Sequence, residues 1–398
     1  MSIPFITRLS KILTVIIYLF ITMPAHAQLS AAVHYKAVHA DTSDININDY
    51  RRDFLASESK AALAPVNEVN ANAVKINFLE SLETHLSSRQ ERKLLMGYLK
   101  DLSANNSELS YNQSKVKLYY RLANVFARLR LYPLAMKCFF KTIRQNTISE
   151  DALLARPNVD LPVLDGITQQ PLDNSSYLAI NAKDDSLFIN NPRPTDLSDK
   201  TEKKSKAITY KHITETFNDG KNAAAYALLF QVKQPVPGKP KVFKLANTGH
   251  TFITLIKYNT DSSSVSVSFG FYPQKDNLIF SATPWNPSCS GTFKNDNNHN
   301  WDEVVGRFIS KRRFDRIMKL IKDYDGLDYH LSKNNCTDFA LKAASFAGFG
   351  VAETTANWPL GHGNNPGTTG QGILLGTVYG TNGTSDLFVD YDRSLLKK

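Results

Sequence analysis

Three features of this chain predict an α+β fold. Residues 265–272 alternate apolar side chains (Val265, Val267, Phe269, Phe271) with Ser266, Ser268, Gly270 and Tyr272, the period of a strand with one buried face. Residues 336–347 read as a helix, with Asn335 before it and Gly348 after it. Residues 76–148 read as helical and precede these elements as a separate region.

The first segment reads as a targeting signal. Arg8 and Lys11 precede the apolar run Ile12 to Met23, and Ala25-His26-Ala27 supplies the small residues of a cleavage site. This predicts a signal peptide over 1–27, cut after Ala27, and a periplasmic or secreted protein. An uncleaved anchor is the alternative, although the run is short for a span. No other stretch approaches spanning length, so no membrane span is expected once the signal is removed. The formal net charge is +10, and loss of the two basic signal residues leaves +8. An exported basic protein is drawn to anionic surfaces such as cell-wall polymers or lipid head groups. The basic residues are scattered, so no nucleic-acid partner is expected.

Residues 28–75 form a polar leader rich in Asp, Asn and Ala. Within 76–148, Tyr119, Leu122, Ala123, Phe126, Ala135, Phe139 and Thr142 fall on the offsets of a single tetratricopeptide-like hairpin, at roughly 117–147. Pro133 suits the first turn of its second helix. One such unit cannot bury its own faces. Flanking helices, the C-terminal domain or a protein partner must cover it; a generic helical hairpin explains the same residues. Cys138 lies on this hairpin and reads as an inert core thiol. Residues 149–205 mix five prolines with Asp, Asn and Ser and read as a linker or irregular segment.

The last domain covers 206–398. A short helix is expected over 212–224, then a strand over 225–233, which Gln234 to Gly238 breaks. Strands over 249–258 and 265–272 form a hairpin around the polar turn 259–264. Residues 301–323 read as a helix with Lys311, Arg312, Arg313, Arg316 and Lys319 on one side. The Gly- and Asn-rich stretch Gly361 to Gly367 reads as a long loop of the kind that often covers a site.

Two residues carry the chemistry. His250 opens the strand Gly249-His250-Thr251-Phe252-Ile253, and Cys336 opens the helix Cys336-Thr337-Asp338-Phe339. A thiol at a helix N-terminus is stabilised as thiolate by the helix dipole and free N–H groups, and an imidazole can take its proton. The Cys336 N–H, with an N–H or amide of Asn334 or Asn335, would form an oxyanion hole. Asp338 complements the helix N-terminus or contacts a substrate amine. Counting from the turn places Tyr272 or Gln274 opposite His250 as the residue that orients the imidazole.

The order of strand His and then helix Cys, with Asn-Cys-x-x-Phe at the thiol, resembles the circularly permuted branch of the papain-like superfamily. That branch includes NlpC/P60 peptidases and lecithin–retinol acyltransferase-like proteins. The resemblance covers roughly 225–350. It implies a permuted papain-like domain, Cys336 as nucleophile, His250 as general base and a third polar residue on the next strand.

Other candidates carry less. His330 stands six residues before Cys336 and could substitute for His250, but its loop-like context favours a surface role. His299 and His362 have no ligand spacing around them, and Asp323, Asp325 and Asp328 lack the glycine and distal glutamate of a calcium loop. No metal and no cofactor are expected. Trp285 and Trp358 could line a groove, with burial as the default. Three cysteines allow one disulfide, and a Cys289–Cys336 bridge would remove the nucleophile. Three functions stay open: an amidase or peptidase acting on cell-wall peptide through a Cys336 acyl-enzyme, a lipid ester hydrolase or acyltransferase with the same nucleophile, and an inactive binding module.

Overall fold

The computed structural model describes residues 113–153, 177–184, 205–244, 247–274, 286–358, 361–381 and 383–391, with residue 282 and six positions between 92 and 99. The expected signal peptide, the leader and most of the 149–205 segment lie outside the described residues. Those described belong to one compact unit, Asn46–Lys398.

Helices α1 (Gln113–Arg128) and α2 (Tyr132–Leu153) form the predicted hairpin. All seven repeat-like positions, from Tyr119 to Thr142, are buried. What they bury against is a sheet.

The sheet is antiparallel throughout. Its strands are β1 (Ala207–Ile208), β2 (Ala223–Lys233), β3 (His250–Asn259), β4 (Ser264–Pro273), β5 (Ser288–Asn295), β6 (Glu303–Ile309), β7 (Asp328–His330) and β12 (Phe388–Tyr391). They run in the order β1-β5-β4-β3-β2-β6-β12, and β7 adds to β5. Helix α3 (Tyr210–Phe217) follows β1. Helices α4 (Lys311–Tyr324) and α5 (Cys336–Ala347) follow β6 and β7. Strands β8 (Phe349–Val351), β9 (Thr355–Trp358) and β10 (Gly361–Asn364), helix α6 (Pro366–Leu374) and strand β11 (Val378–Gly380) complete the chain before β12.

Alternation along the central strands makes two cores. Tyr226, Leu228, Phe230, Ile253, Leu255, Phe269 and Phe271 pack with α4 and α5. Ala225, Ala227, Leu229, Ile256, Tyr258, Val304 and Phe308 face the α1–α2 hairpin. The hairpin is pinned there by Tyr258 Oη donating to Pro133 O at 2.8 Å and Tyr120 Oη donating to Val389 O at 2.7 Å. The sheet thus takes up the face that a lone repeat leaves uncovered. Part of the expected linker joins this layer: Leu178 and Ile180 are buried in it, and Asp184 forms a buried ion pair with Lys137 at 2.8 Å.

Three expectations need correction. Residues 303–309 form β6 and not the start of a helix. Every residue of this strand is buried, because it lies between β2 and β12 with a core on each face, and so it shows no alternation. The helix expected over 212–224 is α3, which stops at Phe217, and Ala223 already belongs to β2. The loop expected over 361–367 is instead strand β10, paired with β9, followed by the start of α6, which Asn365 caps by accepting from the Thr368 N–H. Among the described residues, no helix is long and apolar enough to cross a membrane.

Candidate active site

Cys336 is the first residue of α5. Asn335 caps the helix, its Oδ1 accepting from the N–H groups of Thr337 and Asp338, while Asp338 Oδ2 accepts from the Asn335 N–H. This reciprocal box fixes the first turn and is worth about 1 kcal/mol. Gly348, in the left-handed conformation, ends the helix.

His250 is the first residue of β3, and its ring lies against Gly270 of β4. A Cβ on Gly270 would come within 2.6 Å of the imidazole and 2.9 Å of Asp296 Oδ2, so the ring and the carboxylate need a glycine there. The ring stacks on Phe252 at 5.5 Å, lies tilted 4.2 Å from Tyr272 and meets His299 edge-on at 5.0 Å. His250 and Cys336 are both buried, 6% and 5% exposed.

The residue that orients the imidazole is Asp296, just past the end of β5. Its Oδ2 lies 3.0 Å from His250 Nε2, and it is fully buried. Its Oδ1 accepts from Tyr272 Oη at 2.5 Å and from Ser205 Oγ at 2.9 Å. The Asp296 N–H donates to Ser268 O at 2.8 Å, which ties the turn to β4. With Nε2 committed to the carboxylate, Nδ1 is left for the thiol.

The electrostatics follow from this arrangement. Burial alone would drive His250 toward the neutral form. The charge and hydrogen bond of Asp296, then the hydrogen bond and charge of Cys336, overcome that and push its pKa up to about 9. Burial would likewise raise the Cys336 thiol. The hydrogen bond and charge of His250, the Thr251 N–H and the Thr337 hydroxyl together hold it below its ordinary value. Tyr329 lies against the same residue. Burial, then the charge of Cys336, pushes its phenol well above the usual range.

The structure thus brings His250, Cys336 and Tyr272 together, with the Tyr272 ring against the imidazole and its hydroxyl on Asp296. Gln274 is exposed beyond the end of β4, with its N–H on Ser290 O, and does not orient the imidazole. The amide of Asn335 donates to Leu331 O and Asn364 O, so both its protons are taken and it cannot serve an oxyanion. Asn334 Nδ2 donates to Asp328 O, outside the helix turn. Asp338 is tied up on both oxygens, by the cap and by Asn364 Nδ2 at 2.6 Å, so it is a structural group. All three cysteines are free thiols; Cys138 is fully buried, and burial and the charge of Asp184 raise its pKa strongly. His330 Nδ1 accepts from the Ser332 N–H and His362 is exposed. Trp358 is buried, and Trp285 lies outside the described residues. Among the described residues, no group of three His, Cys, Asp or Glu side chains could hold a metal ion.

Asp296, Ser205, Thr251 and Tyr329 escape the sequence reading. The one available signal for Asp296 is an acid directly after the strand-like run Ser288 to Asn295, which that reading leaves unassigned. Compared with protein-family models, curated proteins and solved structures, the chain has no significant match.

Proposed function

We propose that this protein is an exported cysteine amidase that hydrolyses an amide bond in cell-wall peptide. The observation that carries the reading is the position of His250, held by the buried carboxylate of Asp296 at 3.0 Å and near enough to Cys336 for its charge to lower the thiol's pKa. A thiolate beside an imidazolium is the resting state that such chemistry requires. The permuted papain-like order of His and Cys, the signal-like N-terminus and the basic charge support the same reading.

In the proposed reaction the Cys336 Sγ attacks the amide carbonyl carbon. The oxyanion that forms is stabilised at the N-terminus of α5 by the helix dipole and the Cys336 N–H. His250 gives its Nδ1 proton to the departing amine as the C–N bond breaks, leaving a thioester. His250 then takes a proton from water, whose oxygen attacks the thioester and releases the acid and the thiolate.

The test is incubation with purified wall fragments, with mass spectrometry of the released peptides and of the protein. New amino groups, and a mass adduct on Cys336 in the steady state, are expected. Full activity in Cys336→Ala would overturn the mechanism. Acyl transfer from lipid vesicles, without action on wall fragments, would move the assignment to the ester-directed alternative.

A further inference from the structure

The outer face of the α4–α5 layer carries a row of cations. Arg312, Arg316, Lys319 and Lys322 are exposed on α4, and the first three follow the i, i+4, i+7 spacing of one helix face. Lys311 pairs with Asp315 at 2.7 Å, and among the described residues the other four form no ion pair. Asp315 and Asp323 are the acids exposed on α4, so the face keeps a clear positive excess.

The two helices run antiparallel. Lys342 Nζ of α5 lies 5.2 Å over the ring of Tyr324 at the end of α4, and the Arg313 guanidinium sits beside Gly348 at the end of α5. At that second end the surface turns apolar. Phe346, one turn past Lys342, is 37% exposed, and Tyr379, whose phenol covers Gly350, is 57% exposed.

We propose that this face docks on an anionic lipid surface. Cations beside exposed aromatic side chains fit a bilayer interface, where the charges meet acidic head groups and the rings sit at head-group depth. A soluble polyanion would meet the cations and make no use of Phe346. Phe346 is ten residues along α5 from Cys336, about 15 Å on the helix rise, so the surface is separate from the thiol. Lipid docking does not depend on the amidase reading, and its test reads no catalysis, so either can fail while the other holds.

The test is flotation of the full chain with phosphatidylcholine vesicles, with or without an equal part of phosphatidylglycerol, at low and high salt. Neutral vesicles read any contribution of the apolar run 12–23, which is common to all variants. Binding that depends on phosphatidylglycerol and is lost at high salt is expected. Arg312→Gln/Arg316→Gln/Lys319→Gln should bind on the order of 100-fold more weakly, from roughly fivefold per cation. Phe346→Ser should weaken binding with the charge unchanged. Lys239→Gln/Lys241→Gln/Lys244→Gln removes the same charge elsewhere and should keep it. Equal loss in both triple variants would reduce the effect to net charge and overturn the proposal. So would wild-type binding by Phe346→Ser, or no preference for phosphatidylglycerol.

Discussion

His250 and Asp296 meet at 3.0 Å although 46 residues separate them in the chain. Strand β3 carries the histidine, and the carboxylate comes from the end of β5, two strands away across β4. The contact passes over Gly270, the β4 residue that lacks a side chain to block it. Together, β3, β4 and β5 build a carboxylate–imidazole pair that none of them encodes alone.

Asp296→Asn tests the electrostatic part of that pair. The asparagine keeps a polar group at the same place and removes the charge that helps hold the imidazole at about 9. Loss of that charge lowers the His250 pKa, so the imidazolium is lost at a lower pH, and without it the Cys336 thiol titrates higher. The alkaline limb of activity should move down from about 9. Once the Cys336 thiol titrates above neutral pH, its labelling by iodoacetamide at pH 7 should slow by about tenfold for each further pH unit. An unchanged pH profile would show that Asp296 only packs against the ring.

Gly270→Ala tests the geometry without altering any polar group. The added methyl would meet the imidazole at 2.6 Å, and the ring must move. A displacement of about 1 Å at a catalytic base costs on the order of 100-fold in turnover. Circular dichroism and the denaturation midpoint should change little by comparison. Wild-type turnover in this variant would mean that the imidazole is not held where catalysis needs it.

Tyr272→Phe removes one of the two hydroxyl donors to Asp296 Oδ1 and leaves Ser205. A hydrogen bond to a buried charge is worth about 1.5–3 kcal/mol, so the urea midpoint should fall by a corresponding amount. Activity should drop less than in Asp296→Asn, because the carboxylate remains. A variant as stable as the wild type would remove Tyr272 from the network.

The legibility of this fold in its sequence follows the range of the forces involved. Helix α5 is readable to the residue, from the Asn335 cap to Gly348, because capping is decided within four residues. Strand β4 shows its alternation in residue type, with Val265, Val267, Phe269 and Phe271 set against small or polar neighbours, although it is buried without a break from Val267 to Phe271. Strand β6 hides, because both its faces are buried. The Gly- and Asn-rich β10 hides as well, since its pairing with β9 relies on backbone hydrogen bonds that leave no side-chain signature. Asp296 is invisible for a third reason. Its role depends on the strand order β5-β4-β3 and on where β5 ends, and neither is a local property. Counting from the β3–β4 turn does lead to Tyr272 opposite His250. It cannot reveal that the phenol serves a carboxylate arriving from the next strand.

The ion pair of Lys137 with Asp184 offers a test of how the α1–α2 hairpin is completed. Lys137 is fully buried and Asp184 nearly so, and Nζ lies 2.8 and 3.0 Å from the two carboxylate oxygens. Asp184 also accepts the Asn181 N–H, so it closes the turn that brings Leu178 and Ile180 onto the hairpin. Asp184→Ala would leave an ammonium buried with only the Ala179 carbonyl, at 3.3 Å, to accept from it. Breaking such a pair costs about 3–5 kcal/mol, because the remaining charge loses its compensation. The double variant Lys137→Met/Asp184→Ala removes the charge as well as its partner and should recover most of that loss. Equilibrium urea denaturation of the wild type and the two variants checks the order: the single variant should unfold first, with the double variant close to the wild type. A single variant with the wild-type midpoint would mean that residues 177–184 are not part of the core against which the hairpin packs.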